Sequence, residues 1–249
     1  MSKIINHLYG GTVDLTFEDT RHIYTINGKK VPSVTGVLRI LSKPWLVPWA
    51  AKVTTEKMAE LLKPGVAYDE LQIKDMLDQA KRANYTIKTS AGDLGKLVHE
   101  YLENFIKGTN PSKLVHDEAR NSANRFLDWV NKHKVEFLLS EQMVYSKKHN
   151  YCGTLDFVCK VEGKLLLGDI KTSNQIDLIE YPAQVAAYMI AREEEFGDKF
   201  DGAVIVRVGK KDAEFEMMEL NYKDMTKYKK IFLDCLALTN SVANAESDK

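Results

Sequence analysis

Two short stretches hold residue types that could organise a cation: Gly153-Thr154-Leu155-Asp156 and Gly168-Asp169-Ile170-Lys171. Residues 153–161 and 164–172 both read as strands, joined across Glu162-Gly163, so Asp156 and Asp169 can face each other across an antiparallel ladder. Asp169 and Lys171 are two apart on one strand and therefore share a side of the sheet. Two carboxylates and an ammonium then converge on one point. Hard oxygen ligands of this kind suit Mg2+ or Mn2+. The intervening Ile170 points to the core, and its backbone carbonyl can supply one more oxygen.

A solvated face is the plainer account, because Asp and Lys at i and i+2 are common on exposed strands. Context works against it. Leu165, Leu166 and Leu167 lead into Gly168 and read as a buried run. Burying an unpaired ion costs several kcal/mol. A metal with a phosphate ligand would satisfy both charges; so would a plain Asp169–Lys171 ion pair. These residues alone leave the two open.

The elements that carry these residues follow from periodicity. Residues 91–107 form the clearest amphipathic helix, with Leu94, Val98, Leu102 and Phe105 at spacings of four, four and three. A second long helix covers 114–133, with Ala119, Ala123, Phe126 and Val130 on one side. Strands are expected at 135–146, 153–161 and 164–172, a helix at 177–195, strands at 202–209 and 213–220, and a closing helix at 222–243. Upstream, 13–26 holds short alternating runs that end at Asn27-Gly28, a hairpin signal because both residues tolerate positive φ. Ser33 or Thr35 can cap a helix over 33–41. Further helices are expected at 48–62, with Pro48 in the first turn, and at 68–82. This order predicts an α/β (α+β) fold, with one central mixed sheet flanked by helices. The three-strand meander is antiparallel, and the strand near 202–208 returns parallel to a neighbour. Residues 1–90 read as an N-terminal hairpin and helical region, and 91–249 as the core.

The bulk properties are neutral on function. The chain has 249 residues, 44% hydrophobic and 28% charged, an ordinary balance for a globular protein. Lys+Arg and Asp+Glu number 35 each. Zero net charge is compatible with a local basic groove offset by metal-binding carboxylates. No stretch reaches the roughly eighteen apolar residues of a membrane span. Cys152, Cys159 and Cys235 have no zinc-site spacing, and three thiols without a signal peptide suggest a reducing, cytoplasmic setting.

Taken together, the motifs resemble the PD-(D/E)XK nucleases, in the RecB-like and lambda-exonuclease-like branch with its phage exonucleases. Gly95-Lys96-Leu97-Val98-His99-Glu100 lies on the helix before the sheet, where the branch places a metal-binding histidine; His99 is the matching position. Asp156 and Asp169-Ile170-Lys171 match the core motif. Gln184 and Tyr188 match a Q-x-x-x-Y motif on the following helix, and they share one helix face. The stretch 22–35 also resembles the N-terminal part of phage members. The resemblance is strongest from 91 to 190. It implies a restriction-endonuclease-like core and a Mg2+- or Mn2+-dependent deoxyribonuclease using one or two ions. Asp156, Asp169, His99 and the Ile170 carbonyl would be the ligands, with Lys171 catalytic. It implies an exonuclease on single- or double-stranded DNA ends, with a single-strand annealing protein as a further partner and a bacterial or phage-infected cytoplasm as the setting. The N-terminal helices would form a lid or arch that selects ends. A catalytically silent nucleic-acid-binding module on the same fold and a structure-specific endonuclease are the alternatives. Some relatives hold an iron–sulfur cluster through four cysteines; three here, none placed like a cluster set, imply no cluster.

Secondary candidates surround this core. Glu103 lies on the His99 face but reads more simply as solvated, and Glu141 either enters the site or only ends its strand. Trp45 and Trp49, beside Lys43 and Lys52, are candidates for stacking and backbone contacts with DNA. Trp129 reads as core. Arg21, Lys147, Lys148, Arg207, Lys210 and Lys211 could line a phosphate groove. His22, His116, His133 and His149 show no partner pattern.

Overall fold

The computed structural model describes residues 3–109, 114, 117–209 and 214–247. The chain divides into two compact units, one made of 1–41 and 98–249 and the other of 42–97. In the first unit, β1 (Lys3–Leu8), β2 (Val13–Glu18), β3 (Ile23–Ile26) and β4 (Lys29–Val31) form an antiparallel sheet in that order. Asn27 and Gly28 turn β3 into β4 with φ of 51° and 75°, the left-handed pair that the hairpin signal calls for. Leu8, Val13, Leu15, Tyr24 and Val31 bury the inner face of this sheet against Met143, Tyr145 and Cys152. The sequence predicts one hairpin here; the sheet has four strands. Ser33 then caps the short helix α1 (Val34–Leu38), its hydroxyl accepting from the Gly36 N–H.

The central sheet runs β5 (Glu136–Ser146), β6 (Tyr151–Val161), β7 (Lys164–Lys171), β8 (Gly202–Val208) and β9 (Phe215–Asn221). The three-strand meander is antiparallel and β8 joins β7 in parallel, so the sheet is mixed, as expected. Leu167, Ala203 and Ile205 pack on one face with α1, α5 (Glu180–Phe196) and α6 (Tyr222–Ser247). On the other face Phe126 of α4 (Asp117–His133) sits among Phe105, Trp129, Phe137 and Phe215. The fold is therefore α+β, with helices on both faces of one mixed sheet. Trp129 is a core residue, and no described helix is long and apolar enough to cross a membrane.

The helix expectations fail at one place. The helices expected at 68–82 and 91–107 are one 37-residue helix, α3 (Glu70–Ile106). Residues 83–90 contain β-branched and hydroxyl residues of middling helix propensity but no Gly or Pro to end the helix. Thr86 turns its hydroxyl back onto the Arg82 carbonyl, which satisfies it within the helix. Residues 70–97 of α3 and all of α2 (Leu46–Leu61) belong to the second unit, whose helix α2 buries no residue. Pro48 sits in the first turn of α2.

Candidate metal centre

The β6–β7 ladder runs from Val161↔Lys164 to Phe157↔Gly168 and stops there. One step further would pair Asp156 with Asp169. Instead the strands part, and the Asp156 carboxylate accepts the Ile170 N–H at 2.7 Å. A side chain thus takes over a ladder bond at the point of separation and fixes Asp156 at its mouth. Both motif glycines have a packing reason. A Cβ on Gly168 would stand 1.9 Å from the Phe157 ring, and one on Gly153 would stand 2.7 Å from the Tyr188 ring. Each glycine lets an aromatic ring close over the strand.

Strand β5 contributes a residue that sequence patterning left undecided. Seven described non-glycine residues have positive φ, and six of them lie in turns; Glu141, at 51°, lies inside β5. That conformation costs about 1–3 kcal/mol and persists only where the surroundings impose it. Ser140↔Phe157 and Gln142↔Leu155 are paired on either side, so Glu141 stands opposite Asp156. His99, on α3, completes the group. Its Nε2 lies 3.2 Å from Asp156 Oδ2 and its Nδ1 lies 3.9 Å from Glu141 Oε1. One ligand atom from each of His99, Glu141 and Asp156 falls within 4.8 Å of the other two.

Asp169 and Lys171 lie beside this group. Lys171 Nζ is 2.6 Å from Asp169 Oδ2, an ion pair, with Asp169 completely buried. Neither Asp169 oxygen has a directed hydrogen bond, and Oδ1 has no donor among the described residues. A fully buried carboxylate with an orphaned oxygen is costly unless something else satisfies it. Lys171 also lies over the Tyr181 ring, 5.0 Å from its centroid. Gln184 donates to the Tyr188 hydroxyl at 3.1 Å, both buried on α5.

The electrostatics follow from crowding. Burial pulls the His99 imidazole down, but the Asp156 carboxylate beside it wins, with help from Glu141, and lifts it to about 9. Burial and then Asp156 push Glu141 up to about 7. Asp169 also rises to about 7 through burial and Asp156, against the pull of Lys171. Burial would raise Asp156, yet the His99 and Lys171 cations and the Ile170 N–H hold it below the usual carboxylate range. Without a metal, the part-buried His99 imidazole holds its proton among carboxylates. A divalent cation would replace its proton, and the nitrogen and oxygen donors fit Mg2+ or Mn2+, with the imidazole favouring Mn2+.

The residues read from the sequence are thus distributed unevenly. His99, Asp156, Asp169, Ile170 and Lys171 come together, with Gln184 and Tyr188 on the neighbouring helix. The cluster within ligand distance holds Glu141 rather than Asp169, and Ile170 contributes its N–H. Glu103 pairs with Lys107. Lys43, Trp45, Trp49 and Lys52 lie in the second unit, where Trp45 is 59% exposed and Lys52 pairs with Glu56. Arg207 cannot line an open groove: it is fully buried and donates to the Ser173 carbonyl, Glu214 and Glu216. Arg21 pairs with Glu18, and Lys147 sits over the Tyr9 ring. Lys148 donates its N–H to Glu194, and His133 pairs with Glu162. His22 and His149 lie against aromatic rings. Lys210, Lys211 and His116 lie outside the described residues. Cys152, Cys159 and Cys235 are buried free thiols. The signal that could have found Glu141 is the spacing of apolar residues on β5 and β6, developed below.

No family model and no curated protein matches the chain. Among solved structures, a candidate exonuclease from Eubacterium rectale is similar over 61% of this chain and 68% of its own. The identity is 12% and the TM-score 0.42. SSO0001 is similar over 77% of this chain and 86% of its own, at 13% identity and a TM-score of 0.35.

Proposed function

We propose that the protein is a Mg2+- or Mn2+-dependent deoxyribonuclease of the PD-(D/E)XK kind. The observation that carries this reading is the meeting of His99, Glu141 and Asp156 beside a fully buried, incompletely satisfied Asp169 paired with Lys171. A structural ion pair would not need the imidazole and a second and third carboxylate at the same strand ends.

In this reading His99, Glu141 and Asp156 hold the cation, with Asp169 and the Ile170 carbonyl as the further oxygens the resemblance implies. The cation supplies Lewis acidity toward a phosphate oxygen and acidifies bound water. The Ile170 N–H keeps the Asp156 carboxylate turned into the site. The Lys171 ammonium stays charged beside Asp169 and is placed to orient the attacking water and offset charge building on phosphorus. Gln184 and Tyr188 support the α5 side of the site. Resemblance extends the reading to an exonuclease on DNA ends in recombination, repair or phage DNA processing, with a single-strand annealing protein as partner. Lys43, Trp45 and Lys52 are its DNA-contact candidates.

End-labelled linear DNA and a covalently closed circle, each incubated with Mn2+, Mg2+ or EDTA, test this directly. Cleavage of the linear DNA with either cation and none in EDTA is expected, with the circle spared. DNA binding without cation-dependent cleavage would instead identify a silent binding module, and a cut circle an endonuclease.

A further inference from the structure

A regular strand keeps one face at even spacings. The central strands break that rule at the same place. On β5, Leu139 packs into the core that includes α5, Gln142 bonds to α5, and Val144 is buried in the same core. On β6, Leu155 and Val158 enter that core. The steps from 139 to 142 and from 155 to 158 are both three. Both strands therefore change face at the opposed residues Glu141 and Asp156, and β5 changes once more at the register shift between Phe137, which faces α4, and Leu139. In β5 the left-handed backbone of Glu141 makes the change.

A buried arginine bonds to β5 beside this change. Arg192 of α5 is 6% exposed and donates Nη1–H to the Gln142 side-chain oxygen at 2.7 Å. Its Nε donates to Asp198 at 2.7 Å, and its guanidinium lies 3.9 Å over the Phe196 ring. The arginine is thus immobilised by an ion pair and a ring at the end of its own helix. Its remaining edge grips the residue directly after Glu141.

We propose that Gln142 and Arg192 are positioning residues that lock β5 in its face-switched form and thereby aim Glu141 at the cation held by His99 and Asp156. The proposal rests on the metal-centre reading above. If the 142–192 bond is lost, β5 can relax toward regular pairing, which would swing the Glu141 carboxylate out of the cluster.

The test is Mn2+ titration of the full-length protein by calorimetry, with thermal unfolding alongside. Gln142→Met removes the acceptor at similar volume and is expected to weaken Mn2+ binding about tenfold, the usual scale for a residue that orients a ligand. In a Glu141→Gln background the same change should weaken binding no further, because the ligand it positions is already gone. Gln142→Glu restores an acceptor for Arg192 and should return affinity to within about twofold of wild type, a scale well below the loss in Gln142→Met. A Gln142→Met protein that binds Mn2+ like wild type overturns the proposal, as does equal weakening in the Glu141→Gln background. If Gln142→Met does not fold, loss of affinity in well-folded Gln142→Glu overturns it too. Wild-type protein that binds no Mn2+ sinks both readings. Tight binding with the expected coupling but no DNA cleavage sinks only the nuclease.

Discussion

Strands β6 and β7 place charged residues at both ends, and the two ends treat them oppositely. At the Glu162-Gly163 turn the charged side chains lie at the surface and several are paired there. His133 meets Glu162 at 3.1 Å, Lys164 meets Glu219 at 3.2 Å, and Asp201 accepts the Leu165 N–H at 2.8 Å. Lys164 and Glu219 are each about half exposed. At the other end Asp169 is buried with an orphaned oxygen, Lys171 is mostly enclosed, and three carboxylates crowd one imidazole. Surface pairs of the first kind contribute little and cost little. An assembly of the second kind is expensive unless a ligand completes it. The same two strands therefore hold a solvated end and an end whose buried carboxylate is left incompletely satisfied.

Breaking the second end should matter most for chemistry. Lys171→Ala and Asp169→Ala are each expected to lower DNA cleavage by about a thousandfold or more while circular dichroism stays native. Full cleavage by folded Asp169→Ala protein would be incompatible with the assignment.

Protons should compete with the cation at this end. His99 holds its proton up to about 9 and Glu141 up to about 7. Cation binding must release the protons of His99, Glu141 and Asp169 below about 7 and only the His99 proton between 7 and 9. Mn2+ affinity should therefore rise with pH, steeply to pH 7, by up to about tenfold per unit from 7 to 9, and level off beyond. Calorimetry in buffers of different ionisation enthalpy would count the released protons; an affinity flat from pH 6 to 9 would remove His99 from the ligand set.

The smallest effects separate the ends by stability alone. Without metal and above about pH 7, Asp169→Asn should stabilise the protein by about 1 kcal/mol, because burial and the neighbouring Asp156 disfavour the ionised carboxylate. Lys164→Ala at the solvated end should change stability by no more than about 0.5 kcal/mol. Thermal unfolding in EDTA measures both, and a destabilised Asp169→Asn would show that Lys171 already satisfies the carboxylate in full.

The central sheet was legible because its strands differ in ways that local patterning records. Leu165–Leu167 announce a strand buried on both faces, Glu162-Gly163 a tight turn, and the helix before 202 a parallel return. The four-stranded N-terminal sheet was only half visible: Asn27-Gly28 marks one hairpin, but β1 has no comparable signal. The extent of α3 was missed because nothing in 83–90 strongly favours or forbids a helix. Arg207 looked like a surface cation because composition does not reveal that Glu214 and Glu216 fold over it.

Residue order alone determined that Asp169 and Lys171 share a side of one strand, since two-residue periodicity is a property of extended backbone. It also placed glycines where Phe157 and Tyr188 need room, though not the rings that need it. Only the tertiary structure decided that the ladder opens after Phe157↔Gly168, that His99 arrives at the opening, and that Glu141 turns toward it. Those three depend on how a helix and a third strand pack against the sheet. Their cost is met by burial and hydrogen bonds far along the chain, which no local pattern encodes.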